Sequence, residues 1–239
     1  LILYGRNPVR EALRGRRAHT VEAVWAAHGA AREEWLADVE VRMASAEEIE
    51  RRCGSASHQG LCAQVGSYPY ISAEELLMGE APLILALDQI QDPQNLGSIC
   101  RTAECAGASG VVIPQRRAAE VTPAVCKASA GAVEHLRIAR VRNIADFLAH
   151  AREAQCWCYG ASAEHHDAVP YEQPDYSGGL VLVLGSEGHG LRPRVASSCD
   201  ALIALPLRGR IESLGVSAAA AALLYEILQD RAPGLDKAP

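Results

Sequence analysis

The sequence predicts an α/β protein: a parallel sheet with helices on both faces, preceded by a small second α/β domain. Three observations carry this. From Leu83 onward, short and wholly apolar runs alternate with segments of helical periodicity, as expected for strands buried on both faces and joined by crossover helices. The stretch before Val65 alternates in the same way with a thinner apolar content. Between the two, Gly66, Pro69, Gly79 and Pro82 punctuate a linker. The expected limits are 1–66 for the small domain, 67–82 for the linker and 83–239 for the large domain.

Taken in order, Leu1–Tyr4 reads as a strand, followed by a helix with Asn7 as cap and Pro8 at its first position. Val21–Ala26 and Val39–Met43 read as strands around a helix at Ala30–Ala37. Ser45 with Glu48 three residues on is a capping-box pattern for the next helix. Leu61–Val65 is a further strand, and Ala73–Met78 a short helical piece inside the linker. In the large domain the expected strands are Leu83–Leu87, Val111–Ile113, Leu136–Val141, Cys156–Tyr159, Leu180–Leu184 and Leu202–Leu205. The expected helices are Leu96–Ala106, Pro123–Val133, Ile144–Glu153 and Leu191–Ser198. A last, alanine-rich helix carries Leu223, Leu224, Ile227 and Leu228 and is apolar on nearly all sides, which requires burial in a large core or against a second subunit.

At 239 residues with 49% hydrophobic content, the chain can bury a sizeable core. No apolar run approaches the ~18 residues that cross a bilayer. Arg6 and Arg10 interrupt the only stretch resembling a secretory signal, so a cytoplasmic location is expected. The start at Leu1 rather than Met leaves room for residues ahead of it in the natural product. Eight cysteines form no C-x-x-C pair. Cys156 and Cys158 share one face of a strand and read as buried thiols of a reducing compartment, with a metal pair as the alternative. A net charge of −6 counts against a surface coated in basic groups. It leaves local patches open. Arg6, Arg10, Arg14, Arg16 and Arg17 read equally as a solvated helix face or as a phosphate-contacting patch.

The signatures of dinucleotide enzymes, P-loop NTPases and α/β-hydrolases are missing from the sequence. Three glycine-bearing loops stand instead at the carboxyl ends of expected strands, where an open parallel sheet binds its ligands. The first is Asp88-Gln89-Ile90-Gln91-Asp92-Pro93-Gln94-Asn95-Leu96-Gly97-Ser98-Ile99-Cys100-Arg101-Thr102. The second is Leu184-Gly185-Ser186-Glu187-Gly188-His189-Gly190-Leu191. The third runs from Leu205-Pro206-Leu207-Arg208-Gly209 into Ser213-Leu214-Gly215-Val216-Ser217. In this order they resemble the three motifs of the SpoU (TrmH) family of RNA 2′-O-ribose methyltransferases, over roughly Leu83 to Asp230. Tyr4–Leu13 and Ser57–Leu61 are similar to the small RNA-binding domain of the family's ribosomal-RNA branch, which methylates a guanosine ribose of large-subunit rRNA.

The resemblance implies a SPOUT-type sheet with a C-terminal trefoil knot and a homodimer with the active site near the subunit interface. It implies S-adenosylmethionine as methyl donor, RNA as partner (rRNA over tRNA), and neither metal nor membrane. Arg101 is implied as the leading catalytic residue. A guanidinium stays protonated at physiological pH, so gripping a phosphate and stabilising a developing alkoxide suits it better than acting as base. Asn95 either caps its helix or orients the ribose or Arg101. Glu187 either pairs with Arg101 or accepts hydrogen bonds from substrate. Ser213 completes the catalytic set. Gly185, Leu205 and Leu214, with Gly188 and Gly190 allowing close approach, are implied as the donor site, and the five N-terminal arginines as the RNA site. Gly215 stands where the family motif has Asn. A tolerated variant or a shifted substrate geometry is favoured over lost catalysis. The opposing reading is a non-catalytic RNA-binding or ribosome-assembly factor that keeps the fold.

Overall fold

Two sheets organise the chain, each in its own compact unit. The computed structural model describes residues 1–162, 167–211 and 213–231. The first unit takes in Leu1–Pro69 together with Glu120–His135, and the second holds Tyr70–Ala119 and the chain from Leu136.

The first unit carries a four-stranded sheet of β1 (Ile2–Tyr4), β2 (Val21–Ala26), β3 (Val41–Met43) and β4 (Leu61–Val65), in the order β1-β4-β2-β3. Only the β2–β3 pair is parallel. Elements are numbered in chain order, and the helices of this unit are α1 (Arg6–Arg14), α2 (Ala46–Cys53) and α5 (Pro123–Ala128). Ser45 caps α2 by accepting from the Glu48 N–H, as its sequence pattern predicts, and Gly54 ends the helix in the left-handed conformation.

Three expectations for this unit need correction. Helix α1 begins at Arg6 behind Gly5, whose φ of 94° makes the turn, so Asn7 lies inside the helix and is not its cap. Pro8 is tolerated there because first-turn N–H groups have no intrahelical partner. Ala30–Ala37 is two 3-10 turns, Ala30–Arg32 and Glu34–Leu36, split by an extended Glu33. Each turn buries one residue, too little apolar anchorage for so short a helix. The segment expected as one helix over Pro123–Val133 stops at Ser129, because Ala130 and Gly131 both take positive φ.

Arg17 is not a surface residue. It is fully buried, and its Nε donates to Glu134 Oε2 at 2.8 Å while Nη2 donates to Oε1. The guanidinium lies 5.3 Å from the centre of the Tyr68 ring. Tyr68 in turn donates its hydroxyl to the Val133 carbonyl at 2.8 Å. Arg17 therefore leaves the expected RNA-contacting set, and the partner that buries it comes from the Glu120–His135 segment.

The second unit holds α3 (Glu74–Leu77), β5 (Leu83–Asp88), α4 (Pro93–Cys105), β6 (Gly110–Pro114), β7 (Ile138–Val141), α6 (Ile144–Glu153) and β8 (Trp157–Ala161). They are followed by β9 (Val169–Pro170), β10 (Leu180–Gly185), α7 (Pro193–Ala196), β11 (Ala201–Ala204) and α8 (Val216–Arg231). Its seven strands run in the order β7-β6-β5-β10-β8-β11-β9, every pair parallel. All six residues of β5 are buried, as a strand covered on both faces must be. Ile84, Ala86, Val112, Phe147, Leu148 and Val183 belong to one continuous core. Helix α7 is shorter than the expected Leu191–Ser198, since Arg192 is still extended ahead of Pro193. No helix among the described residues is long and apolar enough to cross a membrane.

The strand order of this sheet sets two of the glycine loops side by side. The chain leaves β5 for β6 and β7 on one side, and later inserts β10 on the other, with Gly185 in register opposite Asp88. The first two glycine loops thus start side by side, at the point where the strand order reverses and open α/β sheets hold their ligands.

Candidate active site

The first loop is anchored before it reaches its helix. Asp88 ends β5 buried, and its carboxylate takes the Arg192 guanidinium at 2.7 Å and the Arg192 backbone N–H at 3.1 Å. That pair ties the start of the first loop to the end of the second. Asp92 then caps α4 by accepting from the Gln94 N–H at 3.0 Å, with Pro93 at the first helical position. Asn95 therefore lies inside the first turn and does not cap the helix, and its amide is free for other work.

The second loop folds back on itself. The Ser186 N–H donates to the Gly190 carbonyl at 3.1 Å and the Gly190 N–H to the Ser186 carbonyl at 2.9 Å. Gly188 and Gly190 hold positive φ of 77° and 61°, which glycine adopts without steric cost. Gly185 has no room for a side chain: a Cβ there would sit 2.1 Å from the Gly190 carbonyl carbon. In the third loop the Gly215 N–H donates to Ser213 Oγ at 3.1 Å, and Gly215 takes φ +77° just before α8.

The three loops meet. Ser217, in the first turn of α8, donates its hydroxyl to Asn95 Oδ1 at 2.7 Å. Asn95 Nδ2 donates to Glu187 Oε1 at 2.9 Å. Each loop contributes one member of this chain of hydrogen bonds.

Two crevices open around the junction. The first, of about 610 Å³, is lined by Gly185, Gly188, Gly190, Leu205, Ser213 and Leu214 among others, and Leu214 keeps half its surface uncovered. Its size lies in the usual range for a small-molecule site. The second, of about 720 Å³, is lined by Gln89, Gln91, Asp92 and Asn95 on one side. Glu187 and His189 border both, so the second loop is the wall between them.

The structure thus brings together every residue expected to hold the donor, together with Ser213, Glu187 and Asn95. Arg101 is exposed on α4 and lines neither crevice. Six residues beyond Asn95, it lies about 9 Å further along the helix and about 120° round it. Sequence reasoning gave no role to Ser217 or to the Asp88–Arg192 pair. A signal existed for Ser217: a hydroxyl in the first turn of an otherwise alanine-rich helix has to find its acceptor elsewhere.

In the first unit, Arg6 pairs with Glu33 at 3.0 Å and Arg10 with Glu11 at 2.7 Å, while Arg14 is exposed and Arg16 half-buried. Cys156 and Cys158 are buried free thiols, and burial pushes the Cys158 thiol up to about 12.

Comparison with known proteins places this geometry. Residues 82–225 match the SpoU rRNA methylase family, and residues 2–71 match the RNA 2′-O ribose methyltransferase substrate-binding family. A putative TrmH-family tRNA/rRNA methyltransferase of Bacillus subtilis is 43% identical over 184 residues, covering 75% of this chain and 73% of its own. The 23S rRNA (guanosine-2′-O-)-methyltransferase of Acinetobacter baylyi is 36% identical over 197 residues, covering 81% and 79%. Among solved structures, an AdoMet-bound rRNA methyltransferase of Sinorhizobium meliloti superposes with a TM-score of 0.80 at 26% identity, over 95% of this chain and 85% of its own. With its methylase part matched from β5 into the last helix, and its N-terminal part matched to the substrate-binding module, the chain belongs to the SpoU rRNA methylase family.

Proposed function

We propose that this protein transfers a methyl group from S-adenosylmethionine to a ribose 2′-OH of RNA, with a guanosine of 23S-type rRNA as the target. The observation that carries the proposal is the junction of Asn95, Glu187 and Ser217 at the wall between two crevices. One crevice can take a methyl donor and the other the nucleotide, and a group transferred between them passes that wall.

The first crevice fits the donor. Leu205, Leu207 and Leu214 offer apolar walls for a purine, and the backbone of the Gly185–Gly190 turn comes close enough to hold polar edges. S-adenosylmethionine, when bound, supplies a methyl carbon already activated by its positive sulfur. The protein's remaining task is alignment, which can supply several kcal/mol of the barrier. Gly185, Gly188, Gly190, Leu205 and Leu214 hold the donor, and Glu187, Asn95 and Ser213 face the reacting groups. Arg101 would grip the phosphate beside the target ribose and stabilise the developing alkoxide, the 2′-OH proton passing to solvent while the methyl carbon exchanges its bond to sulfur for one to oxygen and S-adenosylhomocysteine leaves.

Because Arg101 lines neither crevice of its own chain, this role belongs to a homodimer in which one copy's Arg101 serves the other's site. Mixing an Arg101→Ala chain with a Gly185→Ala chain then restores up to a quarter of wild-type activity to the mixture, because half of the dimers are mixed and each has one intact site. No recovery at all would assign Arg101 elsewhere. Arg6, Arg10, Arg14 and Arg16 track the RNA backbone in the N-terminal unit.

The direct test is incubation with labelled methyl donor and 23S rRNA, followed by mapping of the product. Label on a ribose 2′-oxygen at a guanosine supports the proposal. Label on a base, or none, refutes it.

A further inference from the structure

We infer that Ser217 is a positioning residue for methyl transfer, acting through Asn95 on Glu187 at the wall between the two crevices. The inference rests on the function proposed above and adds a residue to it.

The hydrogen-bond directions leave one consistent assignment. An ionised carboxylate only accepts, so Asn95 must turn its NH₂ toward Glu187. Its carbonyl oxygen then faces Ser217, and the Ser217 hydroxyl must donate. Reversing the amide would set its carbonyl oxygen against a carboxylate oxygen at 2.9 Å, two acceptors with no proton between them. Glu187 therefore fixes which way the Asn95 amide faces, Ser217 holds that orientation from the other side, and Asn95 holds Glu187.

The location of Ser217 makes this possible. A serine within a helix commonly bonds back to the carbonyl four residues earlier. Ser217 is the second residue of α8, and four residues earlier lies Ser213, outside the helix. Its hydroxyl has no helical carbonyl to turn to and reaches α4 instead. The neighbouring Ala218–Ala222 offers no other side chain to do so.

Glu187 needs this hold. It is exposed on a loop with two glycines at positive φ, and among the described residues its side chain bonds only to Asn95. Without Ser217, the Asn95 side chain is held from one side only and the tip of the wall is more loosely tethered to α4. The leucine walls do not depend on that tether, and the Gly185–Gly190 turn keeps its two backbone hydrogen bonds without it but opens more often. The loss should therefore fall on the chemical step and leave donor binding alone.

The test compares Ser217→Ala with Ser217→Thr, which keeps the hydroxyl. Ser217→Ala lowers kcat about tenfold, leaves the Kd for S-adenosylmethionine within twofold, and speeds amide hydrogen exchange at residues 186–190. Ser217→Thr restores both kcat and slow exchange. Wild-type kcat and exchange in Ser217→Ala, or a Ser217→Thr variant as impaired as the alanine one, overturns the inference. A wild-type protein that transfers no methyl counts against the proposed function alone, and the exchange rates then decide the role of Ser217 by themselves.

Discussion

Replacing Gly215 by asparagine tests whether this chain's departure from its family motif has left the site incomplete. Gly215 holds φ +77°, and a Cβ built on it meets no atom within 4 Å. A side chain therefore costs backbone strain and no steric clash. An ordinary L-residue in the left-handed region costs roughly 1–2 kcal/mol, and asparagine less, because its short polar side chain bonds locally. Gly215→Ala should lower the melting temperature by roughly 2–4 °C per kcal/mol in a protein of this size, and Gly215→Asn by less than the alanine variant. For activity, the Asn95–Glu187 bond already has its third member in Ser217. Gly215→Asn should then leave kcat/KM within about tenfold, a change of ~1.4 kcal/mol in the barrier. Single-turnover methyl transfer with labelled donor, alongside thermal unfolding, reads both quantities. A gain of several orders of magnitude would show that the natural chain lacks a catalytic group, and that the bond network described above does not suffice. A melting temperature falling further for asparagine than for alanine would contradict the open space around Gly215.

Three further outcomes follow from other parts of the molecule. Gly185→Ala places a methyl 2.1 Å from the Gly190 carbonyl carbon, so backbone must move; S-adenosylmethionine affinity by calorimetry should fall at least tenfold, and unchanged affinity would disconnect this turn from the donor. Arg17→Ala leaves the Glu134 carboxylate buried without its partner at a cost of roughly 3–5 kcal/mol, whereas Arg14→Glu should spare stability and flatten the salt dependence of RNA binding. Equal melting temperatures for these two variants would contradict the burial of Arg17. Burial pushes the Cys126 and Cys199 thiols, like Cys158, up to about 12, so all three stay protonated at pH 8. Alkylation of the native protein at that pH should mark exposed Cys105 and leave them intact, as peptide mapping would report.

What could be read from the sequence, and what could not, divides by the range of the interaction responsible. Leu61–Val65 and Ile144–Glu153 have the limits the sequence predicts, and β5 and β10 each differ by one residue. Their signal is local: an unbroken apolar run or a clean helical period, closed by turn residues. The start of α4 is equally local, yet the apolar period alone sets it three residues late. Asp92-Pro93 is a cap followed by a first-position proline, a stronger marker than the apolar Leu96 from which the helix was expected to begin. With the helix expected from Leu96, Asn95 reads as either a cap or an orienting residue, and Asp92 as the actual cap removes the first of these. The convergence of the loops is legible from their place at the carboxyl ends of parallel strands and from the motif resemblance, but nothing local to Ser217 names an acceptor 122 residues away. Arg14 and Arg17 mark the limit most plainly. They are three residues apart in one arginine-rich run, and composition assigns them the same role. A carboxylate 117 residues later takes Arg17 into the core and leaves Arg14 in solvent. Charge patterning can nominate such a cluster as a phosphate-binding surface, but membership of that surface is decided residue by residue by partners from distant chain. The arginines that bind RNA therefore have to be counted on the folded unit, after those committed to its core have been removed.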